Sequence, residues 1–220
     1  MTIKFDDSWI EAHYHIAEKK NGLTILKSRH PDRWKEIKFV LSNFRLLYSE
    51  VASSGGGKSK VTQRLEKLFK KKGWKGVEVE HSSVIRIGKN FNKKNKVVYK
   101  RIKGTSETHE LDLFKKQVGI EIEWNNKHQF FSRDLELFSY LYEVEAIEVG
   151  VIITRHHDLE HLFKRLGVST VNDKSKGKPI ADKYGETTTQ TDKLEKLLKT
   201  NRFTCPLVVI GITEDIFTYW

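Results

Sequence analysis

Cysteine is almost absent. The single residue, Cys205, stands in a chain of 220, which excludes an internal disulfide framework and any multi-cysteine zinc site. It precedes Pro206 and an apolar run, the setting of a reduced, buried thiol. No stretch approaches the roughly 18 apolar residues that a membrane span needs. The opening Met1-Thr-Ile-Lys-Phe-Asp-Asp has no apolar core, so no secretory signal is read there and a cytoplasmic protein is expected. No internal repeat is visible. Twelve Phe and five Trp, each burying a large area, argue against global disorder, and the length suits one domain over residues 1–220.

Charge is what the chain has in excess, with 40 Lys and Arg against 29 Asp and Glu, a net of +11. Residues 58–103 hold 16 of the cations and three acids (Glu66, Glu78, Glu80), a net of +13. Residues 107–148 reverse the sign, with ten acids against Lys115, Lys116, Lys127 and Arg133. Either run alone reads as a solvated face. Side by side they suit a surface for a polyanion next to a site for a hard cation, because phosphate contact uses Lys and Arg and divalent cations use carboxylates.

Periodicity places the elements. Ile10, Ala12, Tyr14 and Ile16 alternate, predicting a strand over 9–17, and Asn21-Gly22 predicts a hairpin turn returning through Leu23–Leu26. Pro31 suits a first helical position before Trp34, Ile37, Leu41 and Phe44. Ser53–Gly57 is a flexible linker before a basic helix over 58–72, which Gly73 stops. Strands are expected at 77–87 and 96–103, joined by a polar turn, and at 117–124, 147–154 and 206–213. Helices are expected at 131–145, 159–166 and 192–199, with a long polar loop over 167–188. The order describes an α/β protein, a mixed central sheet flanked by helices.

The chemistry concentrates in Asp112 and Glu121-Ile122-Glu123. Glu121 and Glu123, two apart on a strand, project from one face, while Ile120, Ile122 and Trp124 point to the core. Asp112 lies nine residues earlier, a hairpin's return, and its carboxylate can meet theirs. Asp112, Glu121 and the Ile122 carbonyl would hold Mg²⁺, which polarises a phosphate and activates water. A strand with a merely polar side is the alternative.

Asp112, eight residues, then Glu121-Ile122-Glu123 resembles the active-site motif of type II restriction endonucleases, with Glu at the position where most of that superfamily has Lys. The stretch from Leu111 to Trp124 is similar to the catalytic hairpin of the BglII/BstYI/BamHI-like group. Asp134–Phe138, Ile147–Val151, the terminal Pro206–Ile212 and Phe69–Trp74 are similar to its other elements. The resemblance implies a restriction-endonuclease-like fold and a homodimer that grips palindromic double-stranded DNA and cuts each strand once with Mg²⁺. It also implies a six-base site with a central GATC, and catalytic roles for Asp112, Glu121 and Glu123. Glu123 leaves open whether metal count and water activation follow the BamHI or the BglII pattern.

Other features are weighed against that reading. His156, His157 and His161 open a helix and lack matching ligand spacing, so surface or capping roles are expected. His109 lies beside the acids. Gly55-Gly56-Gly57-Lys58-Ser59 lacks the earlier glycine and the preceding strand of a phosphate loop. It is expected instead to carry Lys58 and Lys60 toward the DNA backbone, together with Arg64 on the basic helix. The turn after the catalytic strand places Asn126, Lys127 and His128 where base edges can be read, with Arg133, Thr188 and Thr189 assisting. A structure-specific repair or junction nuclease, or a non-catalytic DNA-binding protein, are the alternative functions.

Overall fold

The structure is a computed structural model that describes residues 6–105 and 108–220. The reading of the first residues as signal-free, and the first position of the acidic run over 107–148, fall on residues outside that range.

The predicted strand over 9–17 is corrected by the structure. Asp6 accepts from the Trp9 backbone N–H at 3.1 Å and caps α1 (Asp7–His13), and β1 (Tyr14–Lys19) follows. Ile10 and Tyr14 are both buried. They lie four apart, which fits one face of a helical turn as well as an alternating strand. The predicted hairpin return is also a helix, α2 (Gly22–Arg29). Asn21 takes the left-handed conformation, φ 57°, and turns the chain there. Gly22 then packs so closely that a Cβ would stand 2.3 Å from the Leu207 carbonyl oxygen. Pro31 begins α3 (Pro31–Asn43) as expected, with Trp34, Ile37 and Leu41 buried.

After a short strand, β2 (Leu46–Leu47), and the single turn α4 (Tyr48–Val51), the glycine segment leads into α5 (Lys60–Lys70). Ser59 caps it, its hydroxyl accepting from the Thr62 backbone N–H at 3.0 Å. The predicted strand over 77–87 is two strands. β3 (Lys75–Val79) joins the main sheet, whereas β4 (Ser82–Lys89) pairs with β5 (Val97–Thr105) as a separate two-stranded arm. Apolar alternation in Val77 and Val79 changes phase at Ser82-Ser83, where the chain leaves the sheet.

The chain continues through β6 (His109–Lys115), β7 (Val118–Glu123), α6 (Phe130–Glu143), β8 (Val149–Arg155) and α7 (Leu159–Leu166). A long loop, with a 3₁₀ turn at Ala181–Tyr184, precedes α8 (Thr191–Leu198), β9 (Leu207–Ile212) and β10 (Phe217–Thr218), which pairs with β2. The main sheet runs β1-β9-β8-β7-β6-β3, with β7, β8 and β9 parallel and the remaining neighbours antiparallel.

Side-chain alternation divides the core. Val118, Ile120 and Ile122 of β7 join Val149, Val151, Ile153, Val208 and Ile210 beneath α3 and α5. On the other face Ile152, Leu207 and Val209 meet Phe131, Leu135 and Phe138 of α6 and Leu194 of α8. Gly119 and Gly150 let Phe138 lie against the sheet, since a Cβ on either would come within 2.9 Å of its ring. This close seating of α6 brings its first turns against the end of β7 that carries Glu121 and Glu123.

Candidate active site

The pairing of Leu113 with Ile120 in the β6–β7 hairpin brings Asp112 beside Glu121. Asp112 Oδ2 accepts from the Ile122 backbone N–H at 2.9 Å, which sets its charge close to Glu121. Glu121 and Glu123 do share a face, the one beneath α6, and both are 4 % exposed. Ile120, Ile122 and Trp124 lie in the opposite core as the alternation requires.

A fourth acid closes the group. Asp134, in the second turn of α6, is 2 % exposed, and its charge acts on both Glu121 and Glu123. Glu123 is also held by Asn126, whose Nδ2 donates to Oε2 at 2.8 Å. Burial, followed by the charge of Asp134, pushes Glu123 up to about 8. Burial also lifts Asp134 to about 6 against the opposing pull of Arg133, whose guanidinium lies 3.2 Å from Oδ1. Glu121 stands well above the ordinary carboxylate range through burial and the nearby charges of Asp134 and Asp112.

Two buried oxygens, Glu121 Oε1 and Asp134 Oδ2, have no hydrogen-bond partner. A buried carboxyl oxygen left unpaired is costly, and four acids packed together resist ionising. An all-oxygen donor set of this kind suits a hard divalent cation, which removes both penalties.

Asp112, Glu121 and Glu123 line a cavity of about 620 Å³ that opens between the Ser53–Lys60 segment, the ends of β6 and β7, and the start of α6. His109 and Arg133 are on its wall. Lys58 enters from the glycine segment and pairs with Asp112 at 3.2 Å and with Glu66, which Lys70 also meets at 2.9 Å. Lys60 is exposed at the start of α5. Arg64 is turned inward instead. Its guanidinium grips Glu50 at 2.6 and 2.7 Å, bonds the Arg45 carbonyl and lies 4.4 Å from the Phe44 ring centroid. That packing fastens α5 to the core rather than presenting a cation to solvent.

The exposed Asn126, Lys127 and His128 are stitched to the long loop. The Thr189 N–H donates to the Asn126 carbonyl at 2.8 Å and the His128 N–H to the Thr187 carbonyl at 2.9 Å, with a bridge between Lys127 and Thr188. The two segments that sequence treats as separate candidates therefore form one surface. The threonines build that surface from within. Thr188 Oγ1 accepts from Arg155 at 2.7 Å and donates to the Gly185 carbonyl, and the Thr189 side chain is fully buried. Direct base contact by the Thr189 hydroxyl is thereby corrected.

Three residues escape the sequence reading. Asp134 carries a signal only in hindsight, as an acid in the helix that follows Glu123. Arg155, 1 % exposed, bonds the Thr189 carbonyl at 3.0 Å and lies over Tyr184, with no ion-pair partner among the described residues. Lys183 is on the cavity wall, where burial brings it down to about 8 and its ammonium donates to the Ser53 carbonyl. Nothing in the local sequence distinguishes Arg155 or Lys183 from surface cations.

A mixed sheet with helices on both faces and acids at the mouth of a cavity is a restriction-endonuclease-like architecture. The sequence model of the restriction endonuclease BglII/BglIII family matches residues 14–212, most of the chain, and the chain belongs to that family. The family is one of type II site-specific nucleases acting on double-stranded DNA, and its enzymes generally use divalent metal ions. No curated protein matches the chain. Among the described residues no helix is long and apolar enough to cross a membrane.

Proposed function

We propose that the protein is a Mg²⁺-dependent type II endonuclease, one nuclease domain that acts as a homodimer in the cytoplasm and cuts each strand of a palindromic duplex once. The observation that carries this reading is the convergence of Asp112, Glu121 and Glu123 in a cavity rimmed by Lys58 and Arg133, with Asp134 buried behind them. Mg²⁺ held by Asp112, Glu121 and the Ile122 carbonyl would polarise the scissile phosphate and acidify a water.

Glu123 takes the proton of that water. Burial and the neighbouring acids favour a proton on Glu123, which suits it to accept one. Asn126 fixes one oxygen of its carboxylate and leaves the other to the cavity. Lys58 exchanges Asp112 for a backbone phosphate, and Lys60 supplies a second phosphate contact. Arg64 takes part by holding α5 in place. Asn126, Lys127 and His128 read base edges, Arg133 assists, and Thr188 and Thr189 shape the loop beneath them. A six-base palindrome with a central GATC is the first substrate to test.

Supercoiled plasmid incubated with and without Mg²⁺ tests the proposal. Discrete fragments formed only with Mg²⁺, and lost in Glu121→Ala, are expected. A smear or nicks would favour a structure-specific nuclease, and intact plasmid a non-catalytic DNA-binding protein.

A further inference from the structure

A second group of metal-ligating side chains lies outside the carboxylate cavity. The ligand atoms of His156, His157 and Asp158 all fall within 4.8 Å of one another. The arrangement is built by the fold. β8 ends at Arg155, and the His156 N–H donates to the Ile212 carbonyl at 2.8 Å, which fixes the chain where it turns into α7. The two imidazoles face one carboxylate, His156 Nδ1 at 3.4 Å from Asp158 Oδ2 and His157 Nε2 at 3.2 Å from Oδ1.

Two other elements close on the same spot. From β1, the His15 ring lies 4.8 Å from that of His156, and its Nε2 is 2.6 Å from Glu195 Oε1 of α8. From the start of α8, Thr191 Oγ1 stands 3.1 Å from His157 Nδ1. A proton on that Nδ1 donated to Thr191 leaves the Nε2 lone pair turned toward Asp158, the second-shell orientation that metal-binding histidines use.

The donor set decides the class of cation. Mg²⁺ and Ca²⁺ take oxygen ligands, whereas imidazole with carboxylate suits Zn²⁺ and its neighbours. Tetrahedral bonds of about 2.0–2.1 Å place ligand atoms about 3.3 Å apart; one atom from each of the three residues already lies within 4.8 Å of the others, and a small turn of the Asp158 carboxylate closes the set. We propose that His156, His157 and Asp158 bind a Zn²⁺-class divalent cation apart from the carboxylate cavity, with the His15 imidazole packed beside His156. The ion would steady the β8–α7 junction and, through His15 and Glu195, β1 and α8, the helix that begins where the Thr187–Gln190 segment ends. The inference is independent of the nuclease reading.

Co²⁺ titration of the full chain in excess Mg²⁺ tests it. Tetrahedral cobalt with nitrogen ligands absorbs visibly and far more strongly than cobalt in an all-oxygen octahedral site. One equivalent of strong absorption is expected, displaced by Zn²⁺ and retained in Glu121→Gln. His157→Asn, at an exposed position, should weaken binding at least tenfold, and His156→Ala with His157→Ala should abolish it. Zn²⁺ should raise the melting temperature of the unaltered chain and leave that of His157→Asn nearly unchanged. Absence of the band, its persistence in the double variant, or its loss in Glu121→Gln would overturn the proposal.

Discussion

Glu123 answers to two neighbours, the amide of Asn126, which donates to it, and the charge of Asp134, which favours its protonated form. This double influence separates two effects that sequence treats as one. Asn126→Ala frees Glu123 as well as removing a base contact, so cleavage should fall at every site tested. His128→Ala touches no acid and should lose roughly 10²- to 10⁴-fold at the cognate site, or relax one symmetric base pair, since a base contact is worth ~1–3 kcal/mol in each half-site. Cleavage rates on cognate and one-base-altered duplexes check both, and equal losses on all duplexes in His128→Ala would remove it from base readout. Asp112→Ala and Glu121→Ala should abolish cleavage by several orders of magnitude while DNA affinity, measured by gel shift without metal, stays the same or tightens as negative charge is lost. Glu123→Lys, which restores the commoner residue, should be poorly active because the Asn126 amide donates to the residue at 123 and a lysine offers it no acceptor.

The β4–β5 arm is the element whose partner is most plainly written in its chemistry. From Ser82 to Thr105 it has eight cations and no acid, and Arg86 stands directly opposite Arg101. Like charges facing across a ladder destabilise it, and a polyanion relieves the repulsion. Neutralising Arg86, Arg101 and Lys103 should weaken binding to all sequences alike and flatten the dependence of log K on log salt by about 0.9 per lost contact. An unchanged slope would show these cations to be merely solvated. Elements with a long periodic stripe were legible in the sequence, as were β7, β8 and β9, whose strands are apolar on the faces the sheet buries. The N-terminal elements were not, because Ile10 and Tyr14 satisfy helical and extended spacing alike and Leu23–Leu26 is too short a run to fix its own period, so tertiary packing decides. The carboxylate hairpin was readable from Asp112 to Glu123, where local register sets the geometry. Asp134 and Arg155 were not, because their roles come from α6 seating on Gly119 and Gly150 and from the long loop folding back over the end of β8.

For the molecule as a whole, the buried acids couple stability to pH and to metal. Burial holds Glu123 at about 8 and Asp134 at about 6, each above its unfolded value. Between those limits the folded chain binds more protons than the unfolded one, so stability is full below about pH 4 for these groups and falls as pH rises toward about 8. The melting temperature without divalent cation should therefore decline across that window. Mg²⁺ should restore it most at the alkaline end, and Glu123→Gln should flatten the profile. A melting temperature that rises over the same range without metal would reverse the assigned direction. We propose that these acids cut DNA at one symmetric site on behalf of a dimer, and sequencing the ends of plasmid fragments produced with Mg²⁺ is the decisive measurement. Ends that all fall within one palindrome, at positions related by its two-fold axis, are expected. Ends scattered over unrelated sequences, or the same ends produced by Glu121→Ala, would contradict it.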